Sequence, residues 1–125
     1  MKKIILILLF TIISNIDVQS MTVKEGDKFE IKLNGNPSTG YSWYLENVSE
    51  LNDGSITALN LSKNGRGKFV SKEGIGRIGA GGVFHFSFLA NKVTNSPLVL
   101  KFAYKRPWKK KSLVNTVYNI NVISK

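Results

Sequence analysis

Apolar residues recur at every second position along most of this chain, and that spacing confines it to β-strands. Phe29, Ile31 and Leu33 alternate with Lys28, Glu30 and Lys32. Phe84, Phe86 and Phe88 alternate with His85 and Ser87. Leu98, Leu100, Phe102 and Tyr104 alternate with Val99, Lys101 and Ala103, and Val114, Thr116, Tyr118, Ile120 and Val122 alternate with Asn115, Asn119 and Asn121. Tyr41, Trp43 and Leu45 make a shorter set. Successive side chains of a strand point to opposite faces, so each run reads as one buried and one solvated face. No long segment has the 3.6-residue spacing of an amphipathic helix. Residues 47–63 are less regular and predict a short strand and a turn. Seven or eight short strands in about 100 residues predict an all-β fold, an immunoglobulin-like β-sandwich.

The chain has no cysteine. The disulfide typical of antibody domains is therefore absent, and the sandwich must be stable by packing. A cysteine nucleophile, thiolate metal sites and iron–sulfur chemistry are excluded as well. Met1-Lys2-Lys3 followed by a nearly unbroken apolar run over 4–13, then Val18-Gln19-Ser20 with small residues at cleavage spacing, reads as a secretory signal peptide. The run is too short for a comfortable membrane span. This predicts a leader over 1–20, one domain over 21–125, and residence in the secretory pathway, either secreted or in a lysosomal or vesicular lumen. No stable membrane insertion is expected after cleavage, and the domain is read as a monomer. An uncleaved anchor or an amphipathic N-terminal strand is the alternative for the first stretch. Asn47-Val48-Ser49 and Asn60-Leu61-Ser62 fit the N-glycosylation pattern, whereas Asn36-Pro37-Ser38 is barred by its proline.

Little in the chain could perform catalysis. His85 is the only histidine, placed on the outward face of a strand with no partner evident. The eight carboxylates are scattered and suggest no metal cluster, so no metal or cofactor is expected. Gly74-Ile75-Gly76-Arg77-Ile78-Gly79 matches G-x-G-x-x-G, but a phenylalanine-alternating strand follows where a nucleotide site needs a helix N-terminus. The protein is read as a non-enzyme. Charge is one-sided: the formal net charge is +10, and from Gly74 onward there are nine Lys and Arg and no acid. Such asymmetry points to an acidic partner or an anionic surface.

Three segments at strand ends hold the remaining information. Asn36, Pro37, Ser38, Thr39, Gly40 and Tyr41 form a stiff turn, with two hydroxyls expected at its tip. Gly79, Ala80, Gly81 and Gly82 are nearly bare backbone, suited to close approach, to pairing with an extended partner, or to a plain bend. Arg106, Pro107 and Trp108 set an aromatic on a rigid loop beside three lysines, which argues for an exposed Trp108. Trp and Arg are enriched at binding hot spots.

In this order and spacing the three segments resemble the N-P-T-T-G-Y/F, G-x-G-G and R-P-W/F loops of the chagasin-type inhibitors of cysteine peptidases. The resemblance runs the length of the mature chain. It implies an immunoglobulin-like sandwich whose three loops lie side by side and enter the active-site cleft of papain-like, cathepsin-L-like cysteine peptidases reversibly. Residues 36–41 would sit over the catalytic cysteine and histidine, with Ser38 and Thr39 nearest the thiolate. Residues 79–82 would line the non-primed side, and Arg106, Pro107 and Trp108 the primed side. Ser38 departs from the family's usual threonine, keeping the hydroxyl and losing a methyl. The rival reading is a secreted basic module that binds polyanions or membrane surfaces through residues 105–111. Nucleic acid is disfavoured as a partner by the leader.

Overall fold

The computed structural model describes residues 16–71 and 81–125. Eight strands form two sheets: β1 Ile16–Lys24, β2 Lys28–Gly35, β3 Ser42–Leu45, β4 Ile56–Ala58, β5 Lys68–Ser71, β6 Gly82–Ala90, β7 Leu98–Lys105 and β8 Val114–Ile123. One sheet has the order β1-β8-β7-β3; the other has β2-β6-β4, with β5 also pairing β6 beyond β4. The expected all-β sandwich is thus present. The irregular 47–63 stretch holds a 3₁₀ turn, Val48–Asp53, and the short β4.

The period-two pattern fixes which faces meet. Ile31, Leu33, Phe84, Phe86, Phe88, Leu100, Phe102, Ile120 and Val122 all point inward and are buried. Phe86 and Phe102 come from opposite sheets and meet edge-on, with ring centroids 4.7 Å apart. Such pairs add about 0.5–1.5 kcal/mol beyond area burial, so they help fix one sheet against the other. With no disulfide, this aromatic seam takes over the task of holding the layers together.

Strand β1 runs parallel to β8 from Ile16, opposite Asn115, to Lys24, opposite Ile123. Five of its residues therefore fall in the stretch read as the end of a leader. Residues 16–20 are all exposed, while Val23 is in the core and Met21 packs against it.

Both glycosylation patterns have a structural use. The Asn47 side chain donates to the carbonyl of Val99 at 2.7 Å and to Glu50 at 2.6 Å, and accepts from the N–H of Lys101 at 2.9 Å. It acts as one more residue of β3 along β7. Asn60 does the same on the other sheet, accepting from the N–H of Ser87 at 3.0 Å just past β4.

Candidate functional site

The strand register gathers the three segments at one end of the sandwich. Gly35 closes β2 and is paired with Gly82, the first residue of β6. Lys105 closes β7 and is paired with Ser42, the first residue of β3. Residues 36–41 therefore cross from one sheet to the other, and the connection after Lys105 joins β7 to β8 within a single sheet.

The first segment is built from its own side chains. Pro37–Thr39 is a single 3₁₀ turn capped by Asn36, whose Oδ1 accepts the Ser38 N–H at 3.2 Å and the Ser38 hydroxyl at 2.6 Å. Pro37 suits the first turn position because its φ is preset and no amide is needed there. The Thr39 hydroxyl donates to the Asn36 carbonyl at 2.7 Å. Gly40, at φ +89°, ends the turn, and its N–H donates to the Pro37 carbonyl at 2.9 Å. A side chain would be strained at that φ. The two hydroxyls expected to face a partner are thus donors to the loop itself, although Ser38 and Thr39 are exposed at its tip.

Beneath the turn stands Tyr104 of β7. Its hydroxyl accepts the Asn36 N–H at 2.9 Å. Its ring packs on Tyr41 at 5.4 Å and on Trp43 at 5.1 Å, while the Trp43 indole N–H donates to the Asn34 carbonyl at 2.9 Å. The Arg106 guanidinium lies over the Tyr41 ring, 4.8 Å from its centroid. Its Nε is buried with no hydrogen-bond partner among the described residues, so the aromatic face is what holds that side of the cation.

The first and third segments touch. A Cβ on Gly40 would lie 3.5 Å from Arg106 Nε and 3.6 Å from Trp108 Cη2. The third segment is a tight hairpin connection, with the Lys109 N–H donating to the Arg106 carbonyl at 3.1 Å and the Leu113 N–H to the Tyr104 carbonyl at 2.8 Å. Trp108 is 69% exposed. The lysines beside it correctly forecast that exposure.

Gly79 and Ala80 lie outside the described residues. Gly81 and Gly82 lie at the same end, but Gly82 is no open edge. It is flanked by Gly35 of β2 on one side and Ser71 of β5 on the other. A Cβ on Gly82 would come within 2.6 Å of the Phe69 ring, and one on Gly35 within 2.8 Å of Phe84 and 3.0 Å of Tyr104. These two glycines make room for the aromatic floor of the site. Main-chain pairing with a partner is closed off at Gly82.

His85 does have a partner. Its Nδ1 lies 3.1 Å from Glu30 Oε1 on the outer face of the second sheet, where Ser87 also donates to Glu30 at 3.2 Å. The bond from His85, aided by Ser87 and Lys32, holds the Glu30 carboxyl below its ordinary value against the opposing effect of burial. His85 lies three residues into β6 from Gly82, on the outer face of the sheet, where it ties β6 to β2. Sequence reasoning missed Tyr104 as a support. In the alternating run it looks like any inward strand residue, and only its position two residues before Arg106 set it apart.

Comparison with known proteins bears on the family and the fold. The model for the chagasin family peptidase inhibitor I42 matches residues 22–122. Amoebiasin-1 of Entamoeba histolytica is 30% identical over 89 residues, covering 71% of this chain and 74% of that protein. The crystal structure of EhICP2, a cysteine protease inhibitor from Entamoeba histolytica, superposes with a TM-score of 0.61 at 22% identity, covering 86% of this chain and 96% of that one. PbICP-C, solved in complex with falcipain-2, gives 0.57 at 17% identity, covering 90% and 91%. At those identities the structural likeness is one of fold; the family match runs from the last residues of β1 through β8 and includes the described loop residues. The chain belongs to the chagasin family of peptidase inhibitors, I42.

Proposed function

We propose that this protein is a reversible inhibitor of papain-like cysteine peptidases, plugging the active-site cleft with residues 36–41, 79–82 and 106–108. The observation that carries this reading is the contact between the first and third segments over the Tyr104–Tyr41–Arg106 stack. A wedge already assembled loses little freedom on docking, so more of its contact energy appears as affinity. The tip of the first segment is a 3₁₀ turn ending in a left-handed glycine. Such a tip presents no extended peptide bond to the target's thiolate in attack geometry, which accounts for inhibition without cleavage. In this reading Ser38 and Thr39 cover the catalytic cysteine, the glycine segment lines the non-primed side, and Trp108 packs on the primed side. PbICP-C, a relative in fold, was solved bound to falcipain-2.

The same proposal includes a secretory leader over residues 1–20 and action in a secreted or lysosomal and vesicular setting. A cut after Ser20 would remove five exposed residues of β1 and keep Met21 and Val23, the ones that pack. Intact mass of the secreted protein reads the new N-terminus directly; a start well before Met21 would reject that boundary. The inhibitory reading is tested by titrating the mature chain against papain or a cathepsin-L-like enzyme. Stoichiometric, reversible loss of activity is expected, and full activity at micromolar inhibitor would overturn it.

A further inference from the structure

The two ends of the sandwich differ in how their charge is balanced: at the end away from the loops, Lys24, Lys28 and Lys92 stand among carboxylates. The β1–β2 turn, with Glu25 and Asp27, lies at the end opposite the loops, since the Gly26 N–H donates to the carbonyl of Ala90 at the far end of β6. The 3₁₀ turn bearing Glu50 follows β3 to that same end, where Asn91 bonds Gly54. At the loop end the connection after β7 carries Arg106, Lys109, Lys110 and Lys111. The three lysines are exposed, and no carboxylate pairs with them among the described residues. Lys105, by contrast, is engaged by Glu46 at 3.1 Å. Asp17 of β1, opposite Thr116, is a carboxylate that the proposed leader cleavage would remove.

Lys109, Lys110 and Lys111 follow Trp108 directly in the same hairpin connection. They lie within about 11 Å of it along the chain, given about 3.5 Å per residue. The Debye length is about 8 Å at physiological salt and longer at lower salt, so a partner seated on Trp108 feels Lys109 and Lys110 most strongly, and all three as the salt is lowered.

We propose that these three lysines are a second element of the interface, a steering rim that selects peptidases with an acidic surface beside the primed end of the cleft. This rests on the inhibitory reading above. Charges at an interface rim act mainly on the rate of encounter, whereas the buried aromatic anchor governs dissociation. Trp108 and the lysines thus divide the two rates between them. The commitment is to an acidic peptidase surface and not to a free polyanion, because the cations are continuous with a loop whose neighbours are shaped to dock as a solid body.

The test compares two charge-matched variants of the mature chain against one papain-like peptidase of low isoelectric point and one of high isoelectric point, across a sodium chloride series. The first variant is Lys109→Gln/Lys110→Gln/Lys111→Gln; the second is Lys24→Gln/Lys28→Gln/Lys92→Gln, remote from the loops. The rim variant is expected to associate about tenfold more slowly with the acidic peptidase at low salt, with a flattened salt dependence. Its dissociation rate and its behaviour toward the basic peptidase should change less than twofold. The remote variant should keep most of the wild-type association rate. Equal slowing by both variants would reduce the effect to net charge and overturn the proposal. So would an unchanged association rate in a rim variant that has lost retention on immobilised heparin, since the lysines would then serve a polyanion. Wild-type protein that inhibits neither enzyme would instead remove the inhibitory reading itself.

Discussion

The 36–41 and 106–113 connections meet at one end of the sandwich but are made rigid in opposite ways. The first crosses between sheets and holds its shape with its own groups: the Asn36 cap, the two inward hydroxyls and the left-handed Gly40. The second stays within one sheet and is held at its root, by its turn bonds and by Arg106 lying on Tyr41, while Trp108 projects outward. A loop that spends its polar groups on itself can offer a partner mainly shape. A loop fastened only at its root keeps its tip for contact. Shape and contact energy are therefore separated between neighbouring loops.

The strongest way to break this division is at the tip of the second loop. Trp108→Ala should weaken inhibition by roughly 2 kcal/mol or more, as expected for a hot-spot tryptophan. Thermal stability should hardly change, because the side chain is mostly in solvent. Inhibition constants and melting curves on the same preparations check both halves. A larger loss of affinity from Ser38→Ala, which removes a bond inside the first loop and a hydroxyl at its tip, would reverse the assignment of roles.

A brace away from the loops should show the opposite profile. Asn47 is 9% exposed and its amide bridges β7 and the 3₁₀ turn. Asn47→Ala leaves the Lys101 N–H and the Val99 carbonyl unpaired, at a cost of about 1–3 kcal/mol of stability. Urea melts should register that loss, while the folded fraction inhibits as before. A glycan on the same nitrogen would displace a proton the fold uses, so folded protein expressed through a secretory host should carry none at Asn47 by mass spectrometry.

Between these lies the post under the first loop. Tyr104→Phe keeps the ring stack and removes only the acceptor for the Asn36 N–H. The expected result is a loss of about 1 kcal/mol in affinity, the usual worth of one such bond. Faster exchange of the Asn36 amide should accompany it, a signal that a merely structural role elsewhere in Tyr104 would not produce. Unchanged affinity with faster exchange would mean that the first loop needs no support from the opposite sheet.

What the sequence displayed and what it hid follow the same division. The strands were legible because period-two spacing is a local pattern, and the first loop because its capping residues act within a few positions of one another. Tyr104 was not legible as a support, since its hydroxyl serves a residue 68 positions away. Gly82 suggested an open edge because bare backbone looks alike in a loop or under a ring; only the packed sheet brings Phe69 against it. The start of β1 carries no inward apolar pattern over 16–20, so nothing local separates a strand from the tail of a leader there. Asn47 and Asn60 read as glycan acceptors because a side chain that imitates backbone leaves no local trace.

The smallest expected effect concerns only the sheet that holds the β2 root of the first loop. Glu30 lies on β2 and binds His85 and Ser87 of β6, so it ties together the two strands that end at Gly35 and Gly82. Its carboxyl is held below its ordinary value when folded, chiefly by the bond from His85. A carboxyl lowered in this way stabilises the fold above its unfolded value, and the contribution is lost as pH falls through the folded value. Because the group is partly in solvent, the effect should stay below about 1 kcal/mol. Melting temperatures of wild type and Glu30→Gln should therefore differ slightly at pH 7, with wild type higher, and converge in acid below the ordinary carboxylate range. The second loop roots in β7 and β8, which this pair does not touch. Acid should then loosen the β2 root of the first loop before the roots of Trp108, visible as earlier exchange of the Asn34 and Val83 amides than of Lys105 and Val114. Simultaneous loosening of both would show that the two loops share one cooperative base, however differently their tips are built.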